Sequence, residues 1–555
     1  MSDTDNQPEE APRGTAFSQN DPHHPSLGRD AGAGDLTGLG LHYLWHLIDI
    51  NLLNLVEIPS NADAAAQQKL RGPDGWGKLH PGDDRKRVAI IDNGACAHHP
   101  NLPGHAIKNR ADFAYFERGA TFSNWQGWPA SGRDVGSVKD WLADNLTNEE
   151  AAQTRQSATA LVDELIGAWS TPVPAAANRA SPQSTDAGPL HRYHDLEDPS
   201  RRFAAHGTAC AGLVADRPPE DVSAPPSGAG GCPTEQANPW AIQYVGVNPE
   251  AEIMPINTAY SHEYKTVTNA LLWAYWNDAA VILLPRGLPD LEPIEPHEGI
   301  EDQDPRRTRF TTKGEPEYER LNADRRVFEA VLAAISAEIP VVVASGNNGR
   351  RELEYPACLV NRHGKDITGP IAPDLIVAGA QTHRGVRSSY SSGRTNNGVT
   401  VYAPSDDAEE ISKAYSRFER RGWRGRQLRL APEEGNDYSP YGVLAIDIPG
   451  PYGYENMYEQ DLEHFDEGQP GHLAPGQSGL ENSPGSLYTV FGGTSAAASI
   501  VAGVISLLQC AATSRLRGKD AKDLLILTRK PQPDAQEDVL VVDVRGALEA
   551  LDQAL

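Results

Sequence analysis

The chain has 555 residues, and its 76 acidic residues outnumber its 49 basic ones, giving a formal net charge of −27 with histidine neutral. This balance disfavours nucleic acid or an anionic membrane surface as a partner, and it is compatible with partners that carry basic segments. The five cysteines are few and odd in number, so a disulfide framework is not expected. The length requires a second domain or large insertions in a single domain.

The N-terminal segment, MSDTDNQPEEAPRG, is polar and acidic and lacks the basic start and apolar run of a signal peptide. Residues 39–55 are the most apolar stretch near this end. They are interrupted by His, Asp and Asn and fall short of the roughly 18 apolar residues of a membrane span. We therefore expect a cytoplasmic protein that does not bind a membrane. Residues 1–36 predict a disordered tail, since they are rich in Pro, Gly, Asp and Ser, and residues 37–85 predict a helical extension.

A buried strand is predicted immediately before Asp92, where the sequence reads VAIIDNG. The next distinctive segment, HGTACAG, begins 206 − 92 = 114 positions later at His206. A large insertion at about residues 104–200 therefore separates the two segments. Within it, apolar residues recur at helical spacing and predict an amphipathic helix: Ala158, Leu161, Val162, Leu165 and Trp169.

After His206 the predicted elements alternate between strand and helix. The stretch AEIMPIN at residues 251–257 predicts a strand, Tyr264–Asn277 a helix, and Ala280–Leu284 a buried strand. This alternation indicates a parallel sheet covered by helices on both faces. The expected fold is therefore α/β, a doubly wound parallel sheet flanked by helices, over residues 86–555.

Three glycine-containing segments supply a carboxylate, an imidazole and a hydroxyl in that order: Asp92 in VAIIDNG, His206 in HGTACAG and Ser495 in GGTSAAAS. Together they are the equipment of a serine nucleophile that is activated by a charge-oriented base. One segment alone carries little weight, because an Asp after a strand is often a helix cap and Gly-Thr-Ser is a common turn. Three in order predict a serine hydrolase.

These segments resemble those of the subtilisin-like (subtilase, peptidase S8) family, which has the same order of Asp, His and Ser. The family pattern is met by VAIIDNG, by HPNL from His99, by HGTACAG and by GGTSAAAS. The resemblance implies a subtilisin-like fold and a serine endopeptidase that cleaves protein or peptide substrates through an acyl-enzyme. In that mechanism Ser495 is the nucleophile, His206 the general base and Asp92 the residue that orients His206.

A fourth segment, VVVASGNNG from Val341, resembles the family's strand that leads to an oxyanion-stabilising asparagine. The family spacing Gly-Asn-X-Gly favours Asn347 over Asn348 for this role. Calcium stabilises many family members, but the position that often supplies an aspartate ligand after His-Pro is Asn101 here. We therefore predict no cofactor and no metal. Cys210 lies where several family members carry a free, buried cysteine beside the catalytic histidine.

The resemblance also implies a pocket for the side chain before the scissile bond. Its walls are two tripeptides: Pro285, Arg286 and Gly287, and Ala344, Ser345 and Gly346. Proline at position 285 removes a backbone donor from the first wall. The floor precedes Tyr355–Pro356, which places Glu354 there and predicts a preference for Arg or Lys before the scissile bond. Alternatively, Arg350 and Arg351 neutralise Glu354, which then has only a structural role.

A second insertion, at about residues 405–485, directly precedes the segment of Ser495. It carries a basic cluster and then an acidic and aromatic stretch: Arg420, Arg421, Arg424, Arg426, Arg429, Tyr452, Tyr454, Tyr458, Asp461, Glu463 and Asp466. It is either a lid or exosite, which a regulatory partner could use, or a solvated surface excursion. Residues 37–85 are either a short propeptide, as in intracellular relatives, or an adaptor that packs on the core.

Two other functions use the same residues. The chain could be an inactive or self-blocked peptidase-like interaction module, or an esterase or acyl transferase with the same triad. The presence of Asp92, His206, Asn347 and Ser495 together argues against the first, and the extended cleft of subtilases favours peptides over esters. An enzyme with long insertions suits selective processing or regulation better than bulk digestion.

Overall fold

The computed structural model describes residues 44–52, 85–95, 99, 101–102, 106–108, 110–114, 132–170, 204–217, 244–258, 263–291, 314–365, 367–407, 442–447, 488–531 and 539–553. The predicted N-terminal tail lies outside the described residues, as does most of the segment 37–85. Both side-chain clusters of the second insertion lie outside them as well.

The strands that the structure describes are mostly short and apolar. They are β1 (Arg87–Asp92), β2 (Ala111–Asp112), β3 (Glu252–Asn257), β4 (Val281–Leu284), β5 (Val341–Ala344), β6 (Ile376–Gln381), β7 (Val401–Pro404), β8 (Val443–Ile446), β9 (Tyr488–Phe491), β10 (Lys530–Pro531) and β11 (Leu540–Val541). The central strands β4, β5 and β6 are buried at every position. Strands that read as continuous apolar runs are typical of a parallel sheet with both faces covered.

Nine of these strands form one sheet, in the order β10-β11-β7-β6-β5-β4-β1-β3-β2. Its pairs are parallel except for β10 with β11, while β8 and β9 form a separate two-stranded antiparallel sheet. Strand β1 pairs with β3 on one side and with β4 on the other. The sheet therefore grows in opposite directions from β1, and in open α/β sheets the ligand crevice lies at the carboxyl ends of the strands at such a point.

Helices flank this sheet. Those described are α1 (Trp45–Asp49), α2 (Gly136–Asn145), α3 (Ala152–Ser170), α4 (Ala204–Ala215), α5 (Tyr264–Trp276), α6 (Pro316–Glu338), α7 (Gly493–Ala511), α8 (Gly518–Thr528) and α9 (Val544–Gln553). Helices α4 and α7 pack against each other and against the sheet, and α5 packs against α6. The predicted doubly wound parallel sheet flanked by helices is confirmed, with α5 ending one residue earlier than predicted.

Helix α7 is the most buried long helix near the sheet, because its small and apolar residues face neighbours on all sides. By length and composition it could cross a membrane, but 94% of its apolar window is buried inside the protein. An apolar helix that is surrounded by protein is the core helix of a layered domain. It carries Ser495 in its first turn.

The described part of the first insertion adds a helical layer. Helices α2 and α3 pack against α6, and α3 buries one side: Thr154, Ala158, Val162, Leu165 and Trp169. The ring of Trp169 lies 5.1 Å from that of Trp273 and 5.6 Å from that of Trp276, both on α5. The predicted amphipathic helix is therefore fastened to the core through aromatic packing.

The N-terminal segment 44–52 also packs on the core. The side chains of Leu44, Leu47 and Leu52 are fully buried. The Gln381 amide at the end of β6 donates to Asp49 Oδ2 at 2.6 Å, and the backbone N–H of Val544 donates to the carbonyl oxygen of Ile50 at 3.0 Å. This segment therefore joins the end of β6 to the start of α9.

Candidate active site

Three candidate residues lie at the carboxyl edge of the sheet, where Asp92 contacts His206 and Ser495 contacts the residue after β4. Asp92 is the last residue of β1, His206 lies in the first turn of α4, and Ser495 lies in the first turn of α7. Asp92 is fully buried, and Oδ2 of its carboxylate lies 2.7 Å from Nδ1 of His206. The side chain of His206 retains 11% exposure. This is the arrangement in which a carboxylate selects the tautomer and orientation of an imidazole.

Backbone donors and a threonine hold Asp92 in place. The N–H of Asn93 donates to Asp92 Oδ1 at 2.7 Å. Both the N–H and the hydroxyl of Thr258, which follows β3, donate to the backbone carbonyl of Asp92, at 2.7 and 2.9 Å. The carboxylate is therefore buried with partners, which a charge in an apolar interior requires.

The environment of His206 favours its protonated form. Burial of the imidazole by itself lowers the pKa, but Asp92, with a smaller contribution from Cys210, outweighs it and raises the pKa of His206 well above 6.5. Cys210 lies one helical turn further on, with Sγ 3.9 Å from Nδ1 of His206. The site therefore stabilises the imidazolium that forms when His206 accepts a proton.

The Ser495 hydroxyl donates to the backbone carbonyl oxygen of Pro285 at 2.8 Å. Pro285 directly follows β4, the strand next to β1, so the Ser495 hydroxyl lies at the carboxyl end of the strand beside that of Asp92. A hydroxyl has a single proton. Transfer of that proton to His206 therefore requires the Ser495 hydroxyl to turn away from Pro285.

The two adjacent asparagines after β5 have different partners. Oδ1 of Asn347 accepts hydrogen bonds from both the backbone N–H and the hydroxyl of Thr494, at 2.9 and 2.8 Å. Asn348 instead donates to Glu354 Oε1, from its backbone N–H at 2.9 Å and from its side-chain amide at 2.5 Å. With its oxygen held by the residue before Ser495, Asn347 has its two amide N–H donors left for the site.

Glu354 lies between the two predicted pocket walls. A Cβ added to Gly346 would be only 2.2 Å from Glu354 Cδ, and one added to Gly287 would be 3.7 Å from Glu354 Oε2. Gly346 also has a φ of +109°, so this position requires glycine both for its conformation and for the close approach of Glu354. The carboxylate of Glu354 therefore spans the gap between Gly287 and Gly346.

The partners of Glu354 are neutral. Oε1 accepts from Asn348 and from the hydroxyl of Ser392 at 3.1 Å. Within the described part of the chain, neither Arg350 nor Arg351 makes an ion pair with this carboxylate, and Arg351 is exposed. Oε1 is thus held by hydrogen bonds, and Oε2 lies on the side of Gly287.

A second network supports the floor of the same pocket. Arg362 pairs with Asp290 through both of its terminal nitrogens, at 3.0 and 2.6 Å. Its guanidinium carbon lies 5.8 Å from the centre of the Tyr355 ring, and the Tyr355 hydroxyl donates to Glu329 at 3.2 Å. These contacts tie the segment after β4 to the segment that carries Glu354.

The remaining predicted wall residues have structural contacts. The guanidinium of Arg286 donates to the Thr258 hydroxyl at 3.2 Å, and its residue is only 6% exposed. Ser345 is fully buried, and its carbonyl oxygen accepts the N–H of Glu354 at 3.1 Å. Ala344 is buried at the end of β5. The guanidinium of Arg286 is therefore bound to Thr258, the residue after β3 that also bonds to Asp92 at the end of β1.

Two groups bear on metal binding. Asn101 is buried and bridges protein groups: its amide donates to the carbonyl of Arg217 at 3.1 Å, and its oxygen accepts the Tyr488 hydroxyl at 2.5 Å. In the described residues, Asp92, His206 and Cys210 have potential metal-ligating atoms within 4.8 Å of one another. Since Asp92 and His206 already use these atoms in their hydrogen bond, an ion there would displace it.

Sequence reasoning missed several residues of the site. Thr258 and Thr494 hold Asp92 and Asn347, while Tyr390 and Asp406 both contact the backbone N–H of Gly493, at 3.0 and 3.3 Å. Thr494 lies within the segment GGTSAAAS, but its contact with Asn347 joins segments distant in sequence, as do the contacts of the other three residues.

Similar solved structures are subtilisin-like proteases of low identity. A protease from Pseudoalteromonas arctica is 15% identical, with 86% of this chain and 92% of that chain covered and a TM-score of 0.39. The epidermin leader peptide processing serine protease of Staphylococcus aureus is 13% identical, with coverages of 89% and 83% and a TM-score of 0.44. The nisin leader peptidase of Lactococcus lactis is 13% identical, with coverages of 87% and 92% and a TM-score of 0.40.

No curated protein sequence matches the chain. The model of the subtilase family, peptidase S8, matches residues 84–542, which include all three segments of the Asp92, His206 and Ser495 site. This match spans well over half of the chain. The protein belongs to the subtilase family and is a subtilisin-like serine endopeptidase.

Proposed function

We propose that the protein cleaves peptide bonds by covalent catalysis, with Ser495 as nucleophile, His206 as general base and Asp92 as the residue that orients His206. The observation that carries this proposal is the 2.7 Å contact between Asp92 Oδ2 and His206 Nδ1, at the same sheet edge as the first turn of α7. Asn347 and the backbone N–H of Ser495 are the donors proposed for the oxyanion.

The reaction follows from these roles. His206 takes the proton of the Ser495 hydroxyl while Oγ attacks the substrate carbonyl, whose oxygen becomes negatively charged. The Asn347 amide and the helix N-terminus at Ser495 then stabilise this charge. His206 gives its proton to the leaving amine, and the C–N bond breaks to form an ester with Ser495. A water molecule, deprotonated by His206, hydrolyses the ester and restores the enzyme.

The proposed substrates are proteins or peptides with Arg or Lys before the scissile bond. A cationic side chain that enters between Gly287 and Gly346 meets the Glu354 carboxylate, whose described partners are neutral donors. Pairing with a desolvated carboxylate is strong when the hydrogen bonds of both groups are satisfied. Glu354 is therefore the proposed specificity residue, and Arg350 and Arg351 are not its counter-ions.

A selective processing or regulatory role is part of the proposal. The chain carries two insertions, at about residues 104–200 and 405–485, the second of which ends directly at the nucleophile segment. Loops around a rigid catalytic scaffold are the usual carriers of specificity. A regulatory partner that binds the second insertion would contact a segment that continues in sequence into that of Ser495. Cleavage of unfolded proteins at many unrelated sequences would contradict this role.

The first experiment is intact-mass analysis after incubation with a fluorophosphonate probe, with Ser495→Ala as the matched control. Labelling of the wild type alone is expected, followed by cleavage of a peptide library after Arg and Lys. Absence of labelling in the wild type would instead support an inactive or self-blocked module. Turnover of esters without turnover of peptides would support the esterase or acyl transferase.

The specificity claim has its own test. Glu354→Gln keeps the shape of the side chain and removes its charge, so kcat/KM for an Arg substrate should fall by about 100-fold relative to a Leu substrate, as for loss of a buried charge-assisted contact. Arg351→Ala is the control and should leave the preference unchanged. A Glu354→Gln enzyme that still prefers Arg would assign the carboxylate a structural role.

A further inference from the structure

We propose that Tyr390 and Asp406 are positioning residues that set the nucleophile turn against the oxyanion loop. The nucleophile turn is defined as Gly492 to Ser495, and the oxyanion loop as Gly346 to Gly349. The inference rests on the catalytic roles proposed for Ser495 and Asn347. It assigns to the two new residues an effect on transition-state stabilisation, although neither reacts with substrate.

Both the backbone N–H and the backbone carbonyl of Gly493 have hydrogen-bond partners. Its N–H lies 3.0 Å from the Tyr390 hydroxyl and 3.3 Å from Asp406 Oδ1. Its carbonyl oxygen accepts the Ser405 hydroxyl at 2.8 Å. Gly493 is the first residue of α7, so these groups satisfy a helix-terminal N–H that has no partner within the helix. The first turn of α7, and with it the backbone N–H of Ser495, is thereby fixed in direction.

Tyr390 and Asp406 form a buried pair under the turn. The Tyr390 hydroxyl donates to Asp406 Oδ1 at 2.5 Å, and both residues are 1% exposed. A Cβ on Gly492 would lie 2.3 Å from Asp406 Oδ1, so the turn rests directly on the carboxylate. Side chains packed this closely have little freedom to move, and a strong hydrogen bond to a carboxylate fixes them further.

The backbone of the same segment holds the oxyanion loop. The carbonyl oxygen of Tyr390 accepts the N–H of Gly349 at 2.5 Å, and the N–H of Ser392 donates to the carbonyl oxygen of Gly346 at 2.9 Å. Tyr390 thus contacts one end of the oxyanion loop through its backbone and the nucleophile turn through its hydroxyl. Tyr390 therefore joins the two segments that carry the proposed oxyanion donors, Asn347 and the Ser495 N–H, in addition to the direct bonds between Thr494 and Asn347.

This placement predicts which kinetic constant changes. The Tyr390 hydroxyl donates to Asp406 and accepts from the Gly493 N–H, whereas the Glu354 carboxylate is held by other groups, Asn348 after β5 and Ser392. Loss of the pair would therefore misplace the oxyanion donors and leave the pocket for the Arg side chain in place. Interactions that are stronger in the transition state than in the ground state affect kcat, whereas ground-state binding affects KM.

The test compares Asp406→Leu, Asp406→Asn and Tyr390→Phe with Tyr488→Phe. Tyr488→Phe is a matched control because it also removes a buried hydroxyl. Tyr488 lies in β9, which leads to the nucleophile turn, and its hydroxyl donates to Asn101. The readouts are kcat and KM for an Arg peptide, the rate of Ser495 labelling by a fluorophosphonate, and Tm. Asp406→Leu should lower kcat and the labelling rate by up to about 100-fold, which is the effect of misplacing catalytic groups by about 1 Å. Its KM should stay within about twofold of the wild-type value.

Asp406→Asn should restore part of the activity that Asp406→Leu loses. In Asp406→Asn the side-chain amide oxygen can accept from the same two donors, so this variant should recover at least about 10-fold of the loss. Tyr390→Phe should lower kcat by about 5- to 10-fold, an effect that Tyr488→Phe does not share. If Asp406→Leu fails to fold, the comparison of Tyr390→Phe with Tyr488→Phe decides.

The opposite outcomes are distinct. The inference would be overturned if Asp406→Leu kept the wild-type kcat. It would also be overturned if Tyr390→Phe and Tyr488→Phe lost kcat equally and in proportion to their loss of Tm. Either outcome would leave the catalytic proposal intact. A wild-type enzyme that does not label at Ser495 would overturn the catalytic proposal, and this inference with it.

Discussion

The carboxylate of Asp92 and the imidazole of His206 meet at 2.7 Å across 114 positions of sequence, at the point where the sheet reverses its direction of growth. The contact is buried, since Asp92 is fully inaccessible. The Asp92 and His206 side chains therefore have few alternative orientations in the folded protein, because turning them apart would remove His206 as the partner of a buried charge.

Replacement of Asp92 by Asn should lower kcat by about 10⁴-fold, because an amide can donate to His206 and stabilise the unproductive tautomer. The measurement is steady-state hydrolysis of an Arg peptide. The fold should be retained, so near-ultraviolet circular dichroism of the variant serves as the control. A loss of less than about 10-fold would exclude Asp92 as the orienting residue.

The pH profile should show an acidic limb above the ordinary range of histidine. Burial lowers the pKa of His206, but Asp92 and Cys210 together raise it well above 6.5. Because the neutral imidazole is the active base, kcat/KM should rise with pH as His206 loses its proton, with a midpoint above about 6.5. In Cys210→Ala the midpoint should move to lower pH. An unchanged midpoint in that variant would remove Cys210 as a cause.

Asp216 should make the protein less stable as pH rises. It follows α4 and is fully buried, and neither of its carboxylate oxygens has a hydrogen-bond partner among the described residues. Burial, opposed by Arg217, raises the pKa of Asp216 well above 3.8. The native state thus keeps a proton that the unfolded state releases, so the free energy of unfolding falls between about pH 4 and the native pKa.

The comparison is between the wild type and Asp216→Asn. Asparagine does not titrate, so the Tm of Asp216→Asn relative to the wild type should increase with pH over this window. Thermal unfolding at a series of pH values measures it. A constant difference in Tm would show that Asp216 titrates alike in both states.

The ion pair of Asp290 with Arg362 should stabilise the floor of the substrate pocket. Both side chains are mostly buried, with 12% and 21% exposure, and the pair has two hydrogen bonds. Asp290→Asn should therefore lower the free energy of unfolding by about 1–3 kcal/mol, because it weakens the pairing of a largely buried Arg362. Chemical denaturation is the measurement.

An exposed ion pair is the control for this prediction. Lys519 and Asp523 pair on α8 with side-chain exposures of 68% and 57%. Asp523→Asn should leave the free energy of unfolding nearly unchanged, because solvent screens such pairs. Equal effects of the two substitutions would show that the Asp290 pair has no special role.

The first insertion should unfold together with the core. Trp169 on α3 is fully buried against Trp273 and Trp276 on α5. Trp169→Ala should cost about 3–5 kcal/mol through the cavity it leaves. Gln156→Ala, on the exposed side of the same helix, should stay within about 0.5 kcal/mol. A small effect of Trp169→Ala in calorimetry would mean that the insertion is energetically separate from the sheet.

Local patterns predicted the sheet and the family well. Buried strands such as β4 and β5 are short apolar runs, and the helices between strands have apolar residues at helical spacing. Both patterns can be recognised within a few residues of sequence. Asp92, His206 and Ser495 each lie in a short segment of neighbouring residues that matches the family pattern. The doubly wound sheet and the subtilase family followed from the sequence for this reason and are confirmed.

The specificity residue illustrates the limit of that reasoning. From sequence, Glu354 could equally bind a substrate cation or pair with Arg350 or Arg351, because all three lie within four positions of one another. Side-chain direction depends on the backbone of this loop, which also contacts Ser392 and Gly346. Only the folded chain shows that Asn348 and Ser392 are the partners of Glu354.

The sequence by itself therefore predicted the chemistry of the site, since the proposed nucleophile, base and orienting carboxylate all lie in short motifs. The tertiary structure decided the second set of contacts: the bond of Ser495 to Pro285, the hold of Thr494 on Asn347 and the pair of Tyr390 with Asp406. These contacts join segments far apart in the chain. Their geometry arises from the packing of strands and helices, which no local pattern encodes.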